Sequence, residues 1–200
     1  MKKLIILFLP VFLFTSTAFS QEVSYGFNVG FNYYSFFTET NEGEPKLAET
    51  SMSTNLQYHL GGYIDIPIDS NFGIIGNVVY QNRSVELPEN QDTRLNYLDI
   101  NPLLKYDLNG SYGQGVYLKA GVRYSILLSA KLFEDLQDVS GEFNKSNFGV
   151  DLGIGYDITK AFGVELILDY SPTDFSEEIT SQLAGVDFRF IIDLQDLLAS

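Results

Sequence analysis

One feature narrows what this chain can fold into more than any other. From Gln21 onward, hydrophobicity alternates with a period of two residues in eight separate stretches. A strand sends successive side chains to opposite faces, so such a stretch is a strand with one apolar and one polar face. The first places Tyr25, Phe27, Val29, Phe31 and Tyr33 against Gly26, Asn28, Gly30 and Asn32. The second sets Tyr58, Leu60, Ile64, Ile66 and Ile68 against His59, Tyr63 and Asp65. The third opposes Phe72, Ile74, Val78 and Tyr80 to Asn77, Gln81 and Arg83. The fourth opposes Leu98, Ile100, Leu104 and Tyr106 to Asp99, Asn101 and Lys105. The fifth, the longest, opposes Val116, Leu118, Ala120, Val122, Tyr124, Ile126 and Leu128 to Tyr117, Lys119, Gly121, Arg123, Ser125 and Ser129. The last three carry Asp151, then Glu165 and Asp169, then Asp187 and Arg189 on their polar faces.

The apolar face of each stretch is free of charge, whereas the polar face carries charges in mid-strand. That pattern suits a barrel in lipid, whose apolar face points out and whose polar face lines the interior. Aromatic rings fall near both ends of the apolar face. Tyr33, Tyr58, Tyr80, Tyr124 and Tyr170 lie toward one end, and Tyr25, Phe72, Tyr106, Tyr156 and Phe162 toward the other. Two girdles of this kind match two membrane–water interfaces. The competing architecture, a soluble exported barrel or sandwich, explains the charges but not the girdles.

The connections alternate in length. Asp69 to Asn71, Asn109 to Gln114 and Thr159 to Ala161 are short. Phe37 to Asn55, Val85 to Thr93, Leu132 to Lys145 and Ser171 to Ser181 are longer and polar. Short periplasmic turns and long extracellular loops are expected, with both termini on the periplasmic side. The predicted fold is all-β: an eight-stranded antiparallel up-and-down transmembrane β-barrel.

Residues 1–20 read as a signal peptide and residues 21–200 as the barrel. Lys2 and Lys3 precede an apolar run from Leu4 to Phe14, and Ala18 and Ser20 suit cleavage before Gln21. The run is shorter than the roughly 20 apolar residues of a membrane-spanning helix.

Composition enters through what it excludes. With 26 acidic and 12 basic residues the formal net charge is −14, which argues against nucleic acid as a partner. With Cys 0 there is no disulfide, no thiolate-held zinc, no thiol nucleophile and no lipoprotein anchor. No H-E-x-x-H, P-loop or G-x-S-x-G occurs, and the acidic run Glu134 to Glu142 lacks calcium-loop spacing. No cofactor, metal site or catalytic set is expected.

Several runs carry a family resemblance. These are Tyr25-Gly26-Phe27-Asn28-Val29-Gly30, Leu60-Gly61-Gly62-Tyr63, Leu118-Lys119-Ala120-Gly121 and Phe148-Gly149-Val150-Asp151-Leu152-Gly153-Ile154-Gly155-Tyr156. The most specific is Leu95-Asn96-Tyr97-Leu98-Asp99-Ile100-Asn101-Pro102-Leu103-Leu104-Lys105-Tyr106. They resemble the outer-membrane β-barrel domain family common in Bacteroidota, the porin-family or PorT-like proteins, similar in architecture to the OmpA and OmpX barrels. The resemblance implies the fold and the outer membrane, and it implies no single activity. Barrels of this kind usually end on an aromatic residue read by the assembly machinery. Here Phe190 is followed by Ile191 to Ser200, so either the last strand ends near Phe190 or the signal is internal.

The functional expectation is a non-enzymatic structural or interaction barrel. Its lumen is plugged by Asp65, Arg83, Asp99, Lys105, Lys119, Arg123, Asp151, Glu165, Asp169, Asp187 and Arg189. Its partners are outer-membrane lipids, the barrel-assembly machinery and envelope proteins. The alternatives are a PorT-like component of an envelope secretion machine, a small diffusion pore, and a lipid-modifying enzyme. The last would use the lone histidine, His59, with Asp99 and Ser129 at the outer rim.

Overall fold

The computed structural model describes residues 23–39, 45–47, 57–87, 91–132, 136–173 and 181–199; the targeting segment lies outside them. Its strands are β1 (Ser24–Glu39), β2 (Pro45–Leu47), β3 (Tyr58–Pro67), β4 (Phe72–Leu87), β5 (Gln91–Asp107), β6 (Gly115–Leu132), β7 (Ser146–Asp157), β8 (Phe162–Ser171) and β9 (Ser181–Asp193). A helical turn, α1 (Leu194–Ala199), ends the described chain. Apart from the three-residue β2, which hooks back on the end of β1, the strands follow one another antiparallel around a ring. The ring closes where β1 pairs β9, from Gly26↔Asp193 to Thr38↔Ser181. The fold is a closed barrel of eight antiparallel strands. No sheet edge is left in the spanning region, which lipid requires because it cannot satisfy free backbone groups.

Side chains obey the alternation. On β8, Phe162, Leu166, Leu168 and Tyr170 are exposed, while Glu165, Ile167 and Asp169 are buried. The outer wall is accordingly an apolar band of exposed Val, Leu, Ile and aromatic side chains. Rings meet across neighbouring strands in both girdles, Phe72 with Tyr106 (centroids 4.7 Å apart) and Tyr58 with Tyr80 (6.4 Å).

The short turns are built by their side chains. Asp69 accepts hydrogen bonds from the amides of Asn71 (2.7 Å) and Phe72 (2.8 Å). Thr159 Oγ1 accepts from Ala161 (3.2 Å) and Phe162 (3.1 Å) in the equivalent way. The turn from Asn109 to Gln114 reverses through Gly110 and Gly113 at positive φ.

Four expectations need correcting. The stretch Val85 to Thr93 is not a long loop: β4 and β5 stay paired as far as Leu87↔Gln91, so the hairpin continues beyond the apolar band. Part of Phe37 to Asn55 is likewise strand, in β1 and β2. The connection Leu132 to Lys145 is only partly solvated. It holds a 3-10 turn at Ser140–Glu142, and its Val139 and Phe143 are buried. Of the two alternatives left open for the chain end, a last strand ending near Phe190 does not hold, because that strand runs to Asp193. Asp193 then caps α1 by accepting from the amide of Asp196 at 3.1 Å.

The fourth correction concerns Ser129. A register shift between Asn96 and Tyr97 leaves Asn96 opposite Ser129 and Tyr97 opposite Leu127. The extra residue in β6 reverses the facing of everything beyond it. Ser129 therefore faces the outer wall, in a row where Asn82 bonds Asn96 and Asn96 bonds Ser129, each at 2.9 Å. Ala130 takes the inward position instead and is fully buried.

β3 begins lower than its neighbours. Above it, Asn32 Nδ2 donates to the Asn82 carbonyl (2.8 Å) and Gln57 Nε2 to the Ser84 carbonyl (3.0 Å). These amides cover the stretch of β4 that β3 does not reach.

Candidate functional site

The chemistry of the molecule is concentrated in the lumen, which has three levels. At the long-loop end lies an apolar cap of Tyr34, Leu95, Tyr97, Ala130, Val139, Phe143 and Leu183. The β6–β7 connection supplies two of these, held down as Ser140 Oγ accepts from the Ala130 amide (2.8 Å) and the Val139 amide donates to the Ala130 carbonyl (3.0 Å).

Below the cap is a belt of buried charge. Arg123 on β6 forks onto both carboxylate oxygens of Asp169 on β8 and donates to Ser171 Oγ at 2.6 Å. It also lies 3.8 Å from Asp99 and 4.0 Å from Asp151. Arg83 on β4 pairs with Asp99 on β5 at 2.5 Å. Its guanidinium is sandwiched between the rings of Tyr34 (4.7 Å) and Tyr97 (4.6 Å). On β9, Arg189 reaches Asp187 at 2.7 Å. The Tyr34 hydroxyl lies 2.7 Å from Asp169 and 3.2 Å from Asp187, and Gln81 Nε2 reaches Asp187 at 2.9 Å. Asn101 donates to Asp151 at 2.6 Å. Every charged member of this belt is at most 4 % exposed, so the lumen is filled across its width at this depth.

A second belt lies toward the short turns. Lys119 bonds Glu165, which also accepts from the Tyr117 hydroxyl at 2.8 Å. Lys105 sits between Asp157 (3.4 Å), Asp65 (3.6 Å) and Asp107 (3.9 Å), with its ammonium 4.2 Å from the centre of the Tyr117 ring. Tyr112 folds in from the turn between β5 and β6 and donates to Asp65. Around this belt is a cavity of about 410 Å³, lined in part by residues of all three short turns and by Gln195 and Asp196 of α1.

Glycine makes room for this packing. A Cβ at Gly155 would run into the Tyr117 ring, and one at Gly149 into the Arg123 guanidinium. Each of these side chains lies over the neighbouring strand, where its direct cross-strand partner is the glycine.

Of the eleven expected lumen residues, the structure places Arg83, Asp99, Arg123, Asp151, Asp169, Asp187 and Arg189 in the first belt. Asp65, Lys105, Lys119 and Glu165 fall in the second. The sequence reading overlooked Tyr34, Tyr97 and Tyr112, which bond or stack on these charges, and the inward apolar residues Ile75, Val79, Leu95, Leu103, Ile167 and Leu183. Continuing the alternation from Asn32 to Tyr34, or back from Asp99 to Tyr97 and Leu95, would have found several of them.

His59 is inside and fully buried, opposite Gly30 and Gln81, with neither ring nitrogen within hydrogen-bond reach of a described residue. Ser129, on the outer wall, is not brought to it. Among the described residues no group of three or more His, Asp or Glu side chains is placed to hold a metal ion.

A family model described as "Outer membrane protein beta-barrel domain" matches residues 19–177. The chain belongs to that family. The apolar outer wall of this barrel therefore faces the lipid of a bacterial outer membrane. None of the curated proteins compared with it matches. Solved barrels share the fold at low identity. Neisserial surface protein A is 13 % identical with a TM-score of 0.54, over 87 % of this chain and 100 % of that one. Ail, the attachment invasion locus protein of Yersinia pestis, solved in complex with the heparin analogue sucrose octasulfate, is also 13 % identical, with a TM-score of 0.51 and the same coverage.

Proposed function

We propose that this outer-membrane barrel is a closed, non-enzymatic structural or interaction protein whose outward business is done by its long connections. The belt of Arg83, Asp99, Arg123, Asp169, Asp187 and Arg189 carries this reading. An eight-stranded barrel has an interior that side chains can fill, and here they do so with charges paired on the same, adjacent or next-but-one strand and tied further around the ring by Gln81 on β4, which reaches Asp187 on β9. The apolar cap above it is a second barrier to ions. Reconstituted in planar bilayers, the protein should show little or no conductance at either polarity. A large, steady wild-type conductance would overturn the reading in favour of a diffusion pore.

The enzyme alternative needs a base within reach of a substrate proton. His59 is fully buried and Ser129 lies on the other side of the wall, so these two residues are not brought together. The long connections are extracellular and both termini periplasmic in this reading, which the short, side-chain-locked turns on one side support. Strands that run on past the apolar band, in β1, β4 and β5, suit contacts with envelope partners. A place in a PorT-like secretion machine rests on the likeness of the run Leu95 to Tyr106, and co-purified stoichiometric partners would support it. The barrel-assembly machinery and outer-membrane lipids are its expected partners in biogenesis. Heparin-like polyanions suit this chain poorly, because its net charge is −14.

A further inference from the structure

We propose that the cavity at the short-turn end is a binding site for a small organic cation carrying a primary ammonium group. The buried belt of paired charges lies above the cavity, and α1 and the short turns frame its other end. Its volume, about 410 Å³, lies within the range of roughly 300–1,000 Å³ typical of small-molecule sites. Its lining carries more carboxylates than lysines.

Of the three lysines in the lining, two are already committed, Lys105 to Asp65 and Asp157 and Lys119 to Glu165, while Lys160 is exposed on the short turn between β7 and β8. Asp193 and Asp196 have no lysine or arginine within ion-pair distance among the described residues, and Asp193 accepts from the Tyr63 hydroxyl at 3.2 Å. The wall shows what kind of charge it holds, because the Lys105 ammonium sits over the Tyr117 and Tyr112 rings with carboxylates at its sides. That combination of ring face and carboxylate favours an ammonium ion.

Unpartnered polar atoms point the same way. Gln195 Oε1, at the rim, accepts from no described residue. Asn77, 4 % exposed and part of the lining, shares one long bond of 3.4 Å with Asn28, which leaves Asn77 Nδ2 and Asn28 Oδ1 without partners. Turning both amides over preserves that bond and presents a carbonyl oxygen to the cavity. A donor with several N–H groups, as an alkylammonium is, satisfies both positions.

The test is calorimetric titration of the folded full-length protein in detergent with putrescine, and separately with a lysine-containing tripeptide and with adipate. Saturable 1:1 binding of putrescine is expected, with amide shifts confined to the short-turn end around Ser70, Ser111 and Gly113. Binding should weaken at least tenfold in Asp193→Asn and in Asp196→Lys, the second of which changes α1 alone and leaves the barrel strands intact. Binding of the tripeptide but not of putrescine would keep the ammonium site and assign its ligand to a polypeptide side chain. Absence of saturable binding of either amine, affinity for adipate equal to that for putrescine, or unchanged binding in both variants would overturn it. The outcome is independent of bilayer conductance, so its failure is distinguishable from failure of the closed-barrel reading.

Discussion

Arg123 shows what alternation can and cannot convey about a single residue. Its inward direction follows from its place between Val122 and Tyr124, so its burial was legible. Its partners on β8 were not, because they depend on a ring closing around it. The same holds for the other ten charged positions: facing could be read from parity, pairing could not. Ser129 was misplaced because one extra residue, at Leu127 and Leu128, breaks the parity that carried the reading, and neither leucine announces it. Tyr34 and Tyr97 were passed over because aromatic residues on a polar face look like exceptions, when here they sandwich Arg83. Arg123 also offers the sharpest test at this scale. Arg123→Met removes the guanidinium and strips Asp169 of its cation in a filled interior, while Asp99 keeps Arg83 and Asp151 keeps Asn101. Breaking a buried pair from one side costs about 3–5 kcal/mol. Denaturant unfolding in detergent should show a loss of that order, and a much smaller one for the outward Val122→Ala.

At the scale of an element, the short turns behave differently from the long connections because local chemistry specifies them. Asp69 receives two backbone amides, and these bonds hold its carboxyl below the usual carboxylate range. A carboxyl lowered in the folded chain contributes order that is complete above its unfolded value, 3.8. That order is lost as the pH falls below it. Amide exchange at Asn71 and Phe72, compared with a mid-strand amide such as that of Val78, should therefore accelerate selectively on acidification through that range. Asp69→Asn should show no such selective acceleration. The long connections were less legible. The stretch Val85 to Thr93 holds the polar residues of a loop yet stays paired, since pairing past the membrane needs only a willing neighbouring strand. Val139 and Phe143 lie in a run with acidic residues on both sides, and their burial depends on a mouth of the right width beneath them.

For the whole molecule, strand number and membrane location were legible because both are properties of the pattern repeated along the chain rather than of any one site. The cavity was not, because it forms where side chains of several strands fail to fill the space between them. The topology proposed above can be checked directly. Protease added to intact cells should cut within the long connections, at Phe37 to Asn55 or Leu132 to Lys145, and the protected barrel should still migrate anomalously before heating. Cleavage confined to Asp69 to Asn71 or Thr159 to Ala161 would show the barrel inserted the other way up.

The seam between β1 and β9 sets a timetable. Gly26 lies beside Asp193, and the pairing continues for thirteen residue pairs along both strands. The first strand to leave the ribosome therefore waits for the last before either has its second neighbour. Spliced end to end and opened at another connection, the same ring would keep every pair and change only which strand has to wait. Until β9 arrives, β1 is a strand with a bare flank, so whatever escorts the chain across the envelope has to shield that flank from other nascent barrels for as long as synthesis and export take.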